Sequence, residues 1–248
     1  MPTSEAPRAT PRAITAIAAL AASALLAGCG IGGTSPSQGA PPGPGGGAAV
    51  QTVAPVPPAA EDGPTTMIMV IRHGEKPDGE EPGVDAAGNP DDSSMTRVGW
   101  DRAHGLVDLF DPAQGTPKPG LVRPKTIYAA GVTDDGEGQR TRETVDPLAD
   151  KLGITAETRY GKGEEEELVE HVLAQPGPTL ISWQHSQIPI IAEAFPSVTP
   201  TPPSEWPDDR FDVVWTFTKT ANGWHFDQVP ELVLPQDAAT VIEDDEDA

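Results

Sequence analysis

The stretch Thr65-Thr66-Met67-Ile68-Met69-Val70-Ile71-Arg72-His73-Gly74-Glu75-Lys76-Pro77 decides how the chain is read. Its short run of apolar and β-branched residues predicts a buried strand. The run stops at Arg-His-Gly, and Pro77 and Gly79 then force a loop. An arginine and a histidine at the carboxyl end of a buried strand stand where open α/β sheets place their ligands. The pair suits phosphate, since Arg72 can fork two oxygens and His73 offers a nucleophilic ring nitrogen. From this stretch alone, a strand end capped by solvated polar residues is the plain alternative.

Toward the C-terminus, the Gly-, Asp-, Glu- and Pro-rich residues 77–94 are too long for a tight turn and too polar for core, and read as a lid or an ill-ordered loop. A helix follows, with Ser94 or Thr96 as N-cap and Val98, Ala103, Leu106, Val107 and Phe110 as its apolar stripe. His104, beside that stripe, reads as a partly buried helix residue. Lys125 to Ala130 is a second strand, Gly131 to Gly138 a flexible loop, and Gln139 to Gly153 a helix that Pro147 kinks or splits. Arg140 and Arg142 in its first turn oppose the helix dipole. Either Glu143 or a bound anion compensates them.

Thr155 to Tyr160 reads as a short strand and Glu164 to Gln175 as an acidic helix, its glutamate quartet 164–167 a solvated first turn and His171 on the surface. Pro178 to Gln184 is another buried strand, and it too ends in a histidine, His185. Ser186 is placed to cap the helix after it. Phe211 to Thr218 alternates, Asn222-Gly223 turns, and Trp224-His225-Phe226 returns as a hairpin with His225 turned to solvent or a neighbouring strand. Strands alternating with helices predict an α/β fold: a three-layer α/β/α sandwich, its sheet mostly parallel, with an antiparallel C-terminal hairpin at the edge. The acidic residues 236–248 read as a disordered tail, so the folded domain is expected at 65–235.

The N-terminal quarter is different in kind. Arg8 and Arg12 precede an uncharged, alanine-rich run from Ala13 to Ala27, which describes an export signal too short to span a bilayer comfortably. Leu26-Ala27-Gly28-Cys29 resembles the lipobox of bacterial lipoproteins, in which the cysteine is lipidated and becomes the mature N-terminus. Cys29 is the only cysteine in the chain, so it has no partner for an intramolecular disulfide. Residues 1–29 are thus expected as a lipoprotein signal, and the mature protein as lipid-anchored on the extracytoplasmic face of the cell membrane. Residues 30–64, mainly Gly, Pro, Ala and Ser, cannot bury enough surface to offset their ordering entropy and read as a disordered tether.

Sixteen basic against 38 acidic residues leave a net charge of −22. Such a surface argues against nucleic acid and against electrostatic docking on anionic lipid. It also repels a phosphate ester at long range, so any phosphate site must be a local positive pocket in a negative field.

These residues resemble the histidine phosphatase superfamily, in its phosphoglycerate mutase-like branch. Arg72-His73-Gly74 matches its signature at the end of the first strand. Met95-Thr96-Arg97-Val98-Gly99 with Arg102-Ala103 is similar to its LTxxGxxQA helix start, Arg140-Thr141-Arg142-Glu143-Thr144 to its RAxxTA segment, and Trp183-Gln184-His185-Ser186 to its WxHS segment. The order of the four segments carries the likeness. His185 is followed by Ser186 rather than aspartate, which departs from the acid-phosphatase pattern. No segment between Arg140 and His185 fits the proton-donating glutamate of mutase-like members; Glu157 and Glu164 are in range, but their context does not match.

The resemblance implies a double displacement on a phosphorylated small molecule or phosphoprotein: His73 attacks phosphorus, and water cleaves the phosphohistidine. It implies that Arg72, Arg140 and a protonated His185 surround the equatorial oxygens, and that no metal or cofactor is needed. It places the second phosphate arginine at Arg140 rather than Arg142. Without a strong general acid, good leaving groups are favoured. A lipoprotein that binds a phosphorylated ligand without turnover is the alternative.

Overall fold

The computed structural model of the chain describes residues 66–134 and 136–244. The expected signal peptide, Cys29 and the tether lie outside the described residues. The first strand, β1 (Met67–Arg72), leads through a long loop to α1 (Arg97–Phe110), β2 (Thr126–Ala129) and α2 (Gln139–Leu152). Then come α3 (Glu165–Leu173), β3 (Thr179–Trp183), a 3-10 turn (His185–Gln187), α4 (Ile188–Glu193), β4 (Val198–Thr199), β5 (Val213–Thr220) and β6 (Gly223–Pro230).

The six strands form one sheet in the order β2-β3-β1-β5-β6-β4. Pairing is parallel between β1 and β3, β2 and β3, and β4 and β6, and antiparallel on both sides of β5. The fold is therefore α/β, with β5 alone running against the other five. The two-residue β4 pairs outside the hairpin, so β6 is not the last strand of the sheet.

Period-two alternation divides the core into two layers. Ile68 and Val70 of β1, Ile181 and Trp183 of β3 and Trp215 and Phe217 of β5 pack on one face with Leu168, Val169 and Val172 of α3 and Ile188 and Ile191 of α4. Met69, Ile71, Ile127, Leu180 and Val214 face the other way, against Leu106 and Phe110 of α1 and Val145 and Leu148 of α2. Helices on both faces give the three layers. Each fully buried large apolar side chain, such as Phe110 or Phe217, stabilises the fold by roughly 1.5–3 kcal/mol relative to exposure. With β1 in the centre and buried on both faces, its carboxyl end opens at the middle of the sheet edge.

Several local expectations are corrected. Thr96, not Ser94, caps α1, its hydroxyl accepting from the Gly99 amide; the Ser94 hydroxyl instead bonds the Val84 carbonyl and Glu143. His104 is exposed, with its Nδ1 2.7 Å from the Trp100 carbonyl, because it points off the buried stripe. Pro147 sits inside one uninterrupted α2. The proline removes one backbone bond, while the burial of Val145, Leu148 and Ala149 around it holds the helix together. Residues 155–160 contribute a single bridge, Glu157 to Tyr128, rather than a strand. Glu165 is buried, accepting from the Trp183 indole at 3.0 Å, so the glutamate quartet is not wholly solvated. Ser186 is exposed within the 3-10 turn and caps nothing.

Residues 77–94, expected as a lid or an ill-ordered loop, carry hydrogen-bonded structure. Val84 bridges Pro90, the Val84 amide donates to the Met95 carbonyl, and Asp85 closes its own turn on Ala87 and Asn89. The tail is corrected too. Of the stretch expected to be disordered from Gln236, Asp237 pairs with the buried Arg102 at 2.8 Å and Ile242 is buried in the core. Those residues have partners that acidic composition alone does not reveal.

Candidate active site

His73 is the first residue after β1, and its amide donates to the Trp183 carbonyl at 3.1 Å, tying it to the end of β3. The ring is 5% exposed, and Nδ1 lies 2.7 Å from the Gly74 carbonyl. A carbonyl can only accept, so Nδ1 carries the proton and Nε2 keeps its lone pair. Burial first, then Arg72, Arg140 and His185, push the His73 pKa down to about 3 against the pull of the Gly74 carbonyl. The ring is neutral throughout the physiological range.

Gly74 lets the chain turn tightly here. A Cβ on it would stand 2.7 Å from the Met95 sulfur and 2.9 Å from the Gly99 carbonyl, and one on Gly99 would stand 2.8 Å from the Glu75 carbonyl. The two glycines allow the loop after His73 to lie directly on the start of α1.

Arg72 is fully buried beside His73. Its Nη1 donates to the carbonyls of Pro207, Asp208 and Arg210 at 3.1, 2.7 and 2.9 Å, and its guanidinium carbon lies 3.7 Å over the Phe211 ring. Nε and Nη2 are buried without a hydrogen-bond partner. Two unpaired donors on a buried guanidinium are what an anion would satisfy. Burial lowers the Arg72 pKa to about 10, opposed by Asp208 and Glu75, so the group stays charged.

A small cavity of about 180 Å³ opens in front of His73. Lys76 lines it from the loop after β1, Glu137, Gly138, Arg140 and Thr141 from the start of α2, and Gln184 and His185 from the end of β3. Gly138 caps α2 in the left-handed conformation without a side-chain bond, which leaves the positive end of the helix facing this space. Arg140 donates to the carbonyls of Ser93 and Asp92 at 3.2 and 3.4 Å, so the end of the 77–94 loop steadies it. Burial lowers its pKa, against Glu143 and Asp91. Arg142 points elsewhere, pairing on the surface with Asp146 at 3.4 Å.

His185 completes the set of side chains around the cavity. Its Nε2 is 2.8 Å from Asp208 Oδ1, and its Nδ1 is buried without a partner. Burial and then Arg72 lower its pKa, while Asp208 raises it. Substrate-free His185 is therefore more readily neutral than the protonated form expected of it.

The structure thus brings Arg72, His73, Arg140 and His185 to one edge of the sheet. Glu157 and Glu164 are elsewhere, the first paired with Arg159 at 3.0 Å and the second accepting from the Gly161 amide. Sequence reasoning missed Lys76, Glu137, Phe211 and Asp208. Phe211 and Asp208 reach the site because β5 runs antiparallel, which puts the turn before it at the carboxyl edge of β1; Trp206-Pro207-Asp208-Asp209 was its only signal. Among the described residues, no group of three or more His, Cys, Asp or Glu is arranged to hold a metal ion, and no helix is long and apolar enough to cross a membrane.

A second cavity, about 440 Å³, shares Lys76 with the first and is lined by Phe211, Val98 and mostly carboxylates, including Glu75, Asp78, Asp208 and Asp209. Arg102, 2% exposed, also lines it and is held by Glu75, Glu231 and Asp237 at 2.7, 2.8 and 2.8 Å. This network fastens the loop after His73 to α1 and to the C-terminal segment.

No family model and no curated protein matches the chain. Among solved structures, the chain is similar to a mycobacterial glucosyl-3-phosphoglycerate phosphatase solved with VO3, at 12% identity and a TM-score of 0.41, over 65% of this chain and 97% of that one. It is similar to a protein described as an alpha-ribazole-5'-P phosphatase from Escherichia coli, at 12% identity and 0.41, over 71% and 100%. A third likeness is to a protein described as the phosphohistidine phosphatase SixA of Agrobacterium tumefaciens, at 15% and 0.38, over 66% and 96%. At these identities and TM-scores, none of the three bears on what this chain does.

Proposed function

We propose that the chain is a metal-independent phosphatase of the histidine phosphatase type. The observation that carries the reading is a neutral histidine, its Nε2 lone pair free, lining a small cavity with Arg140 and His185 beside a buried Arg72 that has two unpaired donors.

In the first step Nε2 of His73 attacks phosphorus, an N–P bond forms, and the P–O bond to the leaving group breaks. Water then attacks the phosphohistidine, the N–P bond breaks, and orthophosphate leaves with His73 restored. Arg72, Arg140 and a protonated His185 spread the transition-state charge over the equatorial oxygens. The carboxylic acid that lines the cavity, Glu137, is exposed and lies 3.9 Å from Lys162 rather than buried over the leaving oxygen, so aryl phosphates, phosphohistidine and phosphoanhydrides are the favoured substrates. The placement of Glu157 and Glu164 away from the cavity favours one rival, a protein that holds a phosphorylated ligand without turnover.

The test is to incubate the full-length protein with a panel of labelled phosphate esters and quench in alkali, where phosphohistidine survives. Label on wild type and none on His73→Ala, with turnover unaffected by chelators, is the expected result. Competitive binding of orthovanadate with neither label nor turnover on any ester would leave only the binding protein.

We also propose that the enzyme is exported and held at the extracytoplasmic face of the membrane by acyl chains on Cys29, on the strength of the lipobox-like residues 26–29. Cys29→Ser should release the protein from membranes or leave its precursor unprocessed. An unchanged fractionation and mobility would exclude the anchor.

A further inference from the structure

We infer that Asp208 is a positioning residue for the second histidine, holding the His185 ring by Nε2 so that Nδ1 presents a proton to the phosphoryl group. The inference rests on the phosphatase reading for its consequence in catalysis, and on geometry for the pairing itself.

The turn that carries Asp208 is pinned from two sides. Arg72 Nη1 holds the carbonyls of Pro207, Asp208 and Arg210, and the Trp206 indole donates to the Arg210 carbonyl at 2.8 Å. Trp206 is in turn buried against Trp215 of β5, ring centroids 5.1 Å apart. From this fixed turn the Asp208 carboxylate reaches His185 Nε2 at 2.8 Å. The same residue therefore places the arginine, through its carbonyl, and the histidine, through its side chain.

The proton arrangement follows from that contact. A carboxylate accepts from Nε2, so neutral His185 keeps only a lone pair at Nδ1, the atom left buried and unpaired. Nδ1 becomes a donor to a phosphate oxygen only when the ring takes up a second proton. Around the ring, Arg72 and Lys76 oppose that proton and Asp208 favours it; His73, Arg140 and Glu137 also line the cavity. The Asp208 side chain is 81% exposed, so solvent screens its help, and the effect is tuning rather than an all-or-none switch.

The experiment compares wild type with Asp208→Asn and Asp208→Glu in the full-length protein. The first arm titrates the His185 imidazole by NMR without substrate, the resonance being assigned by its loss in His185→Gln. The second measures kcat/KM for p-nitrophenyl phosphate from pH 5 to 8. In Asp208→Asn the His185 midpoint should fall, and kcat/KM should drop about tenfold at pH 7 while the gap narrows toward pH 5. Asp208→Glu should restore most of both.

An Asp208→Asn midpoint that stays put or rises overturns the inference. So does a loss that is equal at every pH and not relieved by glutamate, which is how a merely structural residue behaves. If no variant, wild type included, turns over any ester, the phosphatase reading fails, and the NMR arm still decides whether Asp208 governs His185.

Discussion

The Thr144 hydroxyl oxygen accepts from the Gly74 amide at 2.8 Å and donates to the Arg140 carbonyl at 2.7 Å. One buried side chain of α2 thus links the loop that carries His73 to the turn that carries Arg140. Thr144→Val keeps the shape but leaves the Gly74 amide buried without a partner. It should cost about 1–3 kcal/mol in chemical denaturation, and an unchanged midpoint would show that the link is dispensable.

Arg140 and Arg142 are two residues apart on one helix and do different things. Arg140→Ala should lower kcat/KM on an aryl phosphate by on the order of 10²–10³, as removal of an oxyanion-type donor does. Arg142→Ala removes only an exposed pair with Asp146, worth about 1 kcal/mol at most. A larger loss from Arg142 than from Arg140 would put the second phosphate arginine at the wrong position.

Arg72→Lys should behave as a drastic substitution. A lysine cannot reproduce the planar stacking on Phe211 or serve three carbonyls while keeping two donors for an anion. Turnover should disappear, and thermal or chemical unfolding should show a loss of more than about 2 kcal/mol as backbone carbonyls of the 207–210 turn lose their partner. A variant with wild-type stability would mean that the turn holds itself.

Burial raises the Glu231 pKa to about 7 from an ordinary 4.5, despite its bond to Arg102. Between those values the folded chain holds a proton that the unfolded chain has lost, so this group's contribution to stability falls as pH rises from about 4.5 to 7. Asp237 acts oppositely at lower pH. Burial opposes its charge, but hydrogen bonds from Arg102 and the Leu234 and Val233 amides hold its pKa below 3.8, so its contribution is lost on acidification through that lowered pKa. His73, with its pKa held at about 3, pulls the other way up to about pH 6.5, so the test is a difference: the melting temperature of Glu231→Gln relative to wild type should rise as pH goes from 4.5 to 7. A slope unaltered by the substitution would assign it to other groups.

The alternation of Ile68, Met69, Val70 and Ile71, and the histidines ending two strands, made the α/β architecture and the neighbourhood of Arg72, His73 and His185 legible from sequence. Those features are local: a strand's period and its last residue travel with the chain. The choice of Arg140 over Arg142 came from motif resemblance, and only the helix's rotation shows which one lines the cavity. Asp208, Phe211 and the carboxylates around Arg102 were not legible, because each meets its partner from far along the chain; Arg72 and Asp208 are separated by 136 positions. What brings them together is the reversed direction of β5, which delivers the turn before it to the carboxyl edge of β1. For the same reason the acidic stretch after Gln236 looked like solvent-bound tail: its charge is a property of composition, whereas the burial of Asp237 on Arg102 exists only once β6 and α1 are in place.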